Sequence, residues 1–82
     1  MKIKRFNDKR NIVAELITDA REKKNMSRVE LSQKLELYGI YLHRNEIYRI
    51  ENNLALVKDF ELAALAKVLD LDLNKIKDLI DS

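Results

Sequence analysis

The stretch Arg44–Asn53, RNEIYRIENN, decides how this chain is read. Wound as a helix at about 100° per residue, it places Ile47, Ile50 and Leu54 on one side, with His43 at the edge. Arg44, Asn45, Tyr48, Arg49 and Asn52 collect on the opposite side. The first face is a seam for a core. The second carries donors and acceptors that match nucleic acid: Arg for guanine, Asn for adenine, Tyr and Asn for backbone oxygens.

Working outward, the apolar residues recur at helical spacing on both sides of this segment. Asn11–Lys24 reads as a first helix, with Ile12, Val13, Leu16, Ile17 and Ala20 in one stripe and Asn25 as its left-handed stop. Ser27 is an N-cap with Glu30 three residues on, a capping box that opens a second helix over Arg28–Leu37. Val29, Leu31, Leu35 and Leu37 are its apolar residues, and Ser32 is small enough for a crossing helix to approach. Tyr38–Leu42 turns around the only glycine, Gly39. The third helix runs Arg44–Asn52 and stops at Asn53. Leu54–Val57 is an apolar loop. Asp59 is expected to help cap a fourth helix whose broad apolar face comprises Phe60, Leu62, Ala63, Leu65, Ala66 and Leu69. Asp70 or Asp72 then caps a fifth, with Leu73, Ile76, Leu79 and Ile80 at helical spacing. The expectation is all-α: a compact bundle of five helices.

The 82 residues allow one domain. We assign 11–82 to it and 1–10, MKIKRFNDKR, to a basic flexible arm that either follows a DNA backbone or minor groove or is simply disordered. Net charge is only +2, yet residues 1–49 hold 12 Lys/Arg against 7 Asp/Glu, and residues 50–82 hold 4 against 7. The front is therefore +5 and the back −3, which favours a polyanionic partner for the front. Cysteine is absent, which fits a reducing cytoplasm. No apolar run is long enough for a membrane span or a signal-peptide core. A single His without Cys cannot assemble a metal site. Carboxylates lie in charge-mixed helical positions, none spaced with a nucleophile, and no Gly-rich phosphate loop exists. The chain reads as a non-enzyme without a cofactor or a small-molecule ligand.

Three segments, AREKKNMSRVELSQKL (Ala20–Leu35), IYRIENN (Ile47–Asn53) and ELAALAKVLDLDLNKI (Glu61–Ile76), carry a resemblance. Jointly they resemble the XRE-type helix-turn-helix domains of phage repressors and Cro proteins. The similarity spans residues 10–80. It implies a five-helix repressor-like bundle whose third helix enters the DNA major groove. By position, it implies that Arg44, Asn45 and Arg49 read bases. His43 matches a residue that caps this helix and touches phosphate. Arg28 stands where the family usually has a phosphate-bonding Gln, and Asn52 matches an Asn that reaches the backbone. Tyr48 reads either as a phosphate contact or as a packed aromatic. Glu51 reads as orienting a neighbour on the third helix or pairing with a basic group elsewhere, and Arg49 as free or paired with Glu46 or Asn53.

The departures from the pattern are specific. Tyr38–Leu42 lengthens the turn beyond the family's usual one, Asn53 replaces Gly, and Leu54, Ala55 and Leu56 stand where Lys or Arg often follow. Glu46 adds a negative charge. The function implied is a double-stranded DNA-binding transcriptional regulator, a repressor, acting as a weak homodimer. The alternative is a protein-interaction module, or an antitoxin-like partner binder, on the same scaffold with weakened DNA contacts.

Overall fold

A computed structural model describes residues 11–81. The basic arm assigned to 1–10 lies outside the described residues. Five helices follow one another: α1 (Ala14–Lys23), α2 (Arg28–Glu36), α3 (Arg44–Glu51), α4 (Asp59–Leu69) and α5 (Leu73–Asp81). No strand occurs among the described residues. Helix α2 packs on α3 and α4, and α1 packs on the same two, so α1–α4 enclose one core. Ile17, Leu31, Leu35, Ile47, Leu65 and Leu69 are its fully buried side chains. Each sits on the stripe that its helical period dictates. Ile76 of α5 packs against this core; the side chains of Leu73, Leu79 and Ile80, expected at helical spacing on the same helix, lie outside the described residues.

One device ends the first four helices. Asn25, Gly39, Asn53 and Asp70 adopt φ of 53°, 74°, 61° and 54°. At the first three, the amide of the αL residue and the one after it close back on the last turn. The pairs are Asn25 to Glu22 with Met26 to Arg21, Gly39 to Glu36 with Ile40 to Leu35, and Asn53 to Ile50 with Leu54 to Arg49. At the fourth, the Leu71 amide bonds the Ala66 carbonyl at 3.1 Å. This is the Schellman arrangement, which satisfies carbonyls the helix would orphan and throws an apolar residue back onto it. Met26 and Leu71 are buried by that turn and Ile40 partly so. Leu54 is the exception, 48% exposed.

The helix starts are equally local. Ser27 Oγ accepts from the Glu30 amide at 3.0 Å while Glu30 Oε1 accepts from the Ser27 amide at 3.2 Å, so the capping box is complete. Asp72, rather than Asp70, caps α5, its Oδ1 accepting from the Asn74 amide at 2.9 Å. Asp59 is the first residue inside α4. Lys58 is the N-cap, and Glu61 reaches back to accept its amide at 2.9 Å.

Other expectations are corrected by packing. Helix α1 begins at Ala14, because Asn11 is committed elsewhere. Its amide donates to Asn53 Oδ1 at 2.9 Å, and its Nδ2 donates to the carbonyls of Ile50 (3.2 Å) and Ala55 (2.9 Å). One buried Asn thus ties the start of the fold to the end of α3. Helix α2 stops at Glu36, and Leu37 is exposed rather than apolar packing. Val29, Ala63 and Phe60 face solvent as well; α4 turns a narrower face to the core than its composition suggests. Asn52 caps α3 instead of belonging to it.

Candidate nucleic-acid interface

Helix α3 is held by its inner side. Ile47 and Ile50 enter the core, and between them and the outer face lies Glu51, whose side chain is only 1% exposed. A buried carboxylate needs paired cations, and two supply it. Arg21 of α1 donates Nε to Glu51 Oε2 at 2.7 Å and Nη2 to Oε1 at 3.1 Å, a two-pronged contact. Arg28 of α2 donates Nε to Oε1 at 2.9 Å. Arg21 also donates Nη1 to the Met26 carbonyl at 2.8 Å. The bond to Glu51 raises the Arg21 pKa above its ordinary value, against the lowering effect of burial. Both values lie far above neutrality, so the charge and the stability it brings persist through the neutral range. Three helices therefore meet at one carboxylate. The sequence leaves Glu51 either orienting a neighbour on α3 or pairing with a basic group elsewhere; the second holds, and that its partners are Arg21 and Arg28 follows from chain crossings that no local spacing encodes.

The outer side is open. His43, Arg44, Asn45, Tyr48, Arg49 and Asn52 are all exposed. Arg28, Arg44, Asn45 and Tyr48 come together around one shallow depression at the start of α2, beside Ser27 and Val29. Arg28 lies with its guanidinium carbon 5.2 Å from the Tyr48 ring centroid. His43 is the exposed N-cap of α3, its Nδ1 accepting from the Asn45 amide at 3.2 Å, which leaves Nε2 for another partner.

Arg49 stands apart from this group. It lines a separate concavity with Glu46, Leu42 and Leu56, and its Nη2 donates to the Leu54 carbonyl at 3.2 Å. It pairs neither with Glu46 nor with Asn53 among the described residues. Asn52 turns its amide back, Nδ2 donating to the Tyr48 carbonyl at 2.8 Å. The expected stripe is thus divided into a cationic flank at the N-terminal half of α3 and a weaker, mixed flank at its C-terminal end.

The lengthened connection runs from Leu37 to His43 and is internally fixed. Ser32 Oγ donates to the Leu42 carbonyl at 2.6 Å, so the small residue of α2 serves as an anchor for the turn. Leu42 is buried, while Tyr38 and Tyr41 face solvent. Farther along the chain, Leu54, Leu56 and Phe60 are each exposed, Leu56 being 70% exposed.

Among the described residues, no group of three or more His, Cys, Asp or Glu is placed to hold a metal ion, and no helix is long and apolar enough to cross a membrane. No curated protein and no solved structure matches the chain. The helix-turn-helix family model matches residues 17–76, from the middle of α1 into α5. That span includes α2 and α3, the capping box and the Arg21–Glu51–Arg28 cluster. With its all-helical bundle and its exposed third helix, the chain belongs to the XRE-type helix-turn-helix family, a family of DNA-binding regulators rather than enzymes.

Proposed function

We propose that the protein is a sequence-specific double-stranded DNA-binding transcriptional regulator, a repressor, that lays α3 in the major groove. The observation that carries this reading is the exposed flank of Arg44, Asn45 and Arg28 beside an α3 whose inner face is fully engaged. Arg44 and Asn45, in the first turn of α3, are the base readers. Arg49 reads at the far end of the helix. A two-pronged Arg–guanine contact supplies roughly 1–3 kcal/mol of discrimination. Arg28, His43 and Asn52 hold phosphates on either side. Blocking of polymerase by operator occupancy needs no chemistry. Two copies on half-sites about 34 Å apart would match a two-fold operator.

Selection of bound sites from a random duplex library tests the reading, since it yields motif, symmetry and half-site spacing together. Titrations on the selected site should give a log–log salt slope near −4 to −5, as expected for about five neutralised phosphates. Arg44→Ala with Arg49→Ala should abolish submicromolar binding. Absence of any enrichment, or binding without salt dependence, overturns the assignment.

The exposed Leu54, Leu56 and Phe60 favour a second reading, a protein-interaction module on the same scaffold. On that reading duplex DNA fails to bind at any salt, and Leu56→Glu alters association in sedimentation. On the first, Leu56→Glu leaves half-site affinity unchanged.

A further inference from the structure

We propose that Tyr48 and Glu51 are positioning residues that hold the Arg28 guanidinium edge-on for one DNA phosphate, and that the Tyr48 hydroxyl contacts nothing essential. The proposal rests on the DNA-binding reading and adds to it which atoms prepare the phosphate contact. Arg28 is the first residue of α2 and approaches α3 from the side. Its Nε is spent on Glu51 Oε1 at 2.9 Å, and one guanidinium face is covered by the Tyr48 ring at 5.2 Å. Its terminal nitrogens bond no acceptor among the described residues, and the side chain remains 36% exposed. A long, flexible cation is therefore fixed at three points: helix backbone, carboxylate and aromatic face. What stays open is the edge carrying parallel N–H groups, the geometry that takes a phosphate with two bonds.

The charge arithmetic supports the same partner. Glu51 carries one negative charge against two positive ones on Arg21 and Arg28, so the cluster is net +1. Arg21 is the more deeply buried cation, 11% exposed, and it grips Glu51 with two nitrogens. The uncompensated charge thus emerges at Arg28, next to Arg44 and Asn45. Tyr48 projects from α3 into the same depression that Arg28, Arg44 and Asn45 line. A phenol could serve a phosphate through its hydroxyl or support the cation through its π face. The observed centroid distance assigns it the second task.

The two roles separate under conservative substitution. Tyr48 is about half exposed, so changing it leaves the core untouched. On the selected duplex, Tyr48→Phe should bind within about twofold of wild type, Tyr48→Ala should lose about three- to tenfold, and Arg28→Ala should lose more and reduce the salt slope by about one. Arg28→Ala with Tyr48→Ala should be no weaker than Arg28→Ala alone, because the shelf has nothing left to hold. Equal losses for Tyr48→Phe and Tyr48→Ala, or additive losses in the double variant, overturn the proposal. Nuclear magnetic resonance of the free protein gives a readout independent of DNA. The Arg28 Nε–H signal should be sharp and slowly exchanging in wild type and Tyr48→Phe, and averaged in Tyr48→Ala. An averaged wild-type signal overturns the positioning role directly. A sharp signal with no duplex binding overturns instead the DNA-binding reading, and with it the phosphate as partner.

Discussion

Replacing Glu51 by alanine tests the central claim that one buried carboxylate joins three helices. The substitution removes both bonds from Arg21 and the single bond from Arg28. Breaking a buried ion pair by deleting one partner costs about 3–5 kcal/mol, because the surviving charge is left uncompensated. Two features reduce that here. Arg28 is about a third exposed and can swing into water, and Arg21 keeps the Met26 carbonyl. We therefore expect a loss of about 2–3 kcal/mol, from a domain whose total stability should be roughly 4–12 kcal/mol. With a urea slope near 1 kcal/mol per M, the unfolding midpoint should fall by about 2–3 M without a change of slope. Glu46→Ala on the exposed side of α3 is the control and should stay within about 0.5 kcal/mol of wild type. A Glu51→Ala midpoint indistinguishable from the Glu46→Ala control would refute the reasoning. The companion variant, Arg21→Met with Arg28→Met and Glu51→Leu, should recover the stability, since apolar side chains of similar volume avoid desolvating three charges.

Four further substitutions probe the local devices. Ser27→Ala removes the acceptor for the Glu30 amide and should cost about 1 kcal/mol, lowering the thermal midpoint by about 4–8 °C. Gly39→Ala meets no atom within 4 Å, so its cost should be the backbone term alone at φ +74°, about 1–2 kcal/mol, measured by urea titration. Asn25→Gly should stabilise by about 0.5 kcal/mol, since Asn25 offers only its tolerance of the αL conformation, whereas Asn53→Gly should destabilise by about 1 kcal/mol. Asn53 Oδ1 accepts the Asn11 amide, and glycine gives that up. The same titration separates them, and equal effects at both sites would show that the Asn11 bond contributes nothing.

What could be read in advance was whatever a few neighbouring residues decide. Ser27 and Glu30 announced the start of α2, Asn25 and Asn53 its neighbours' ends, and the Ile47–Ile50 spacing the buried side of α3. What could not be read depends on where the chain returns. Asn11 looked like the first residue of a helix because Ile12 and Val13 continue its apolar stripe. Only the arrival of Ile50, Asn53 and Ala55 beside it turns it into a staple. Phe60 looked like core because α4 is apolar almost all round, yet a helix packed on α1 and α2 has one side left over. The candidate interface shows the same division. The exposure of Arg44 and Asn45 follows from helical period, while the diversion of Arg49 toward the Leu54 carbonyl follows from a turn whose path is set by the Asn53 cap.

The placement of acid around α3 also decides which way a polyanion can approach. A carboxylate on a DNA-facing helix opposes binding, and α3 contains two. Glu51 is removed from the surface, and its two arginine partners leave the cluster positive at the α2 side. Glu46 is not removed; it stays exposed on the flank it shares with Arg49. The favourable approach is therefore tilted toward the N-terminal half of α3 and the start of α2, where Arg28, Arg44 and Asn45 meet without an exposed acid in the same depression. Glu46 also weakens Arg49 as an anchor: the carboxylate lines the same concavity, and one guanidinium nitrogen already donates to the Leu54 carbonyl. Replacing Glu46 with Gln should accordingly strengthen duplex binding, and more at low salt than at high, since an exposed charge acts over about a Debye length.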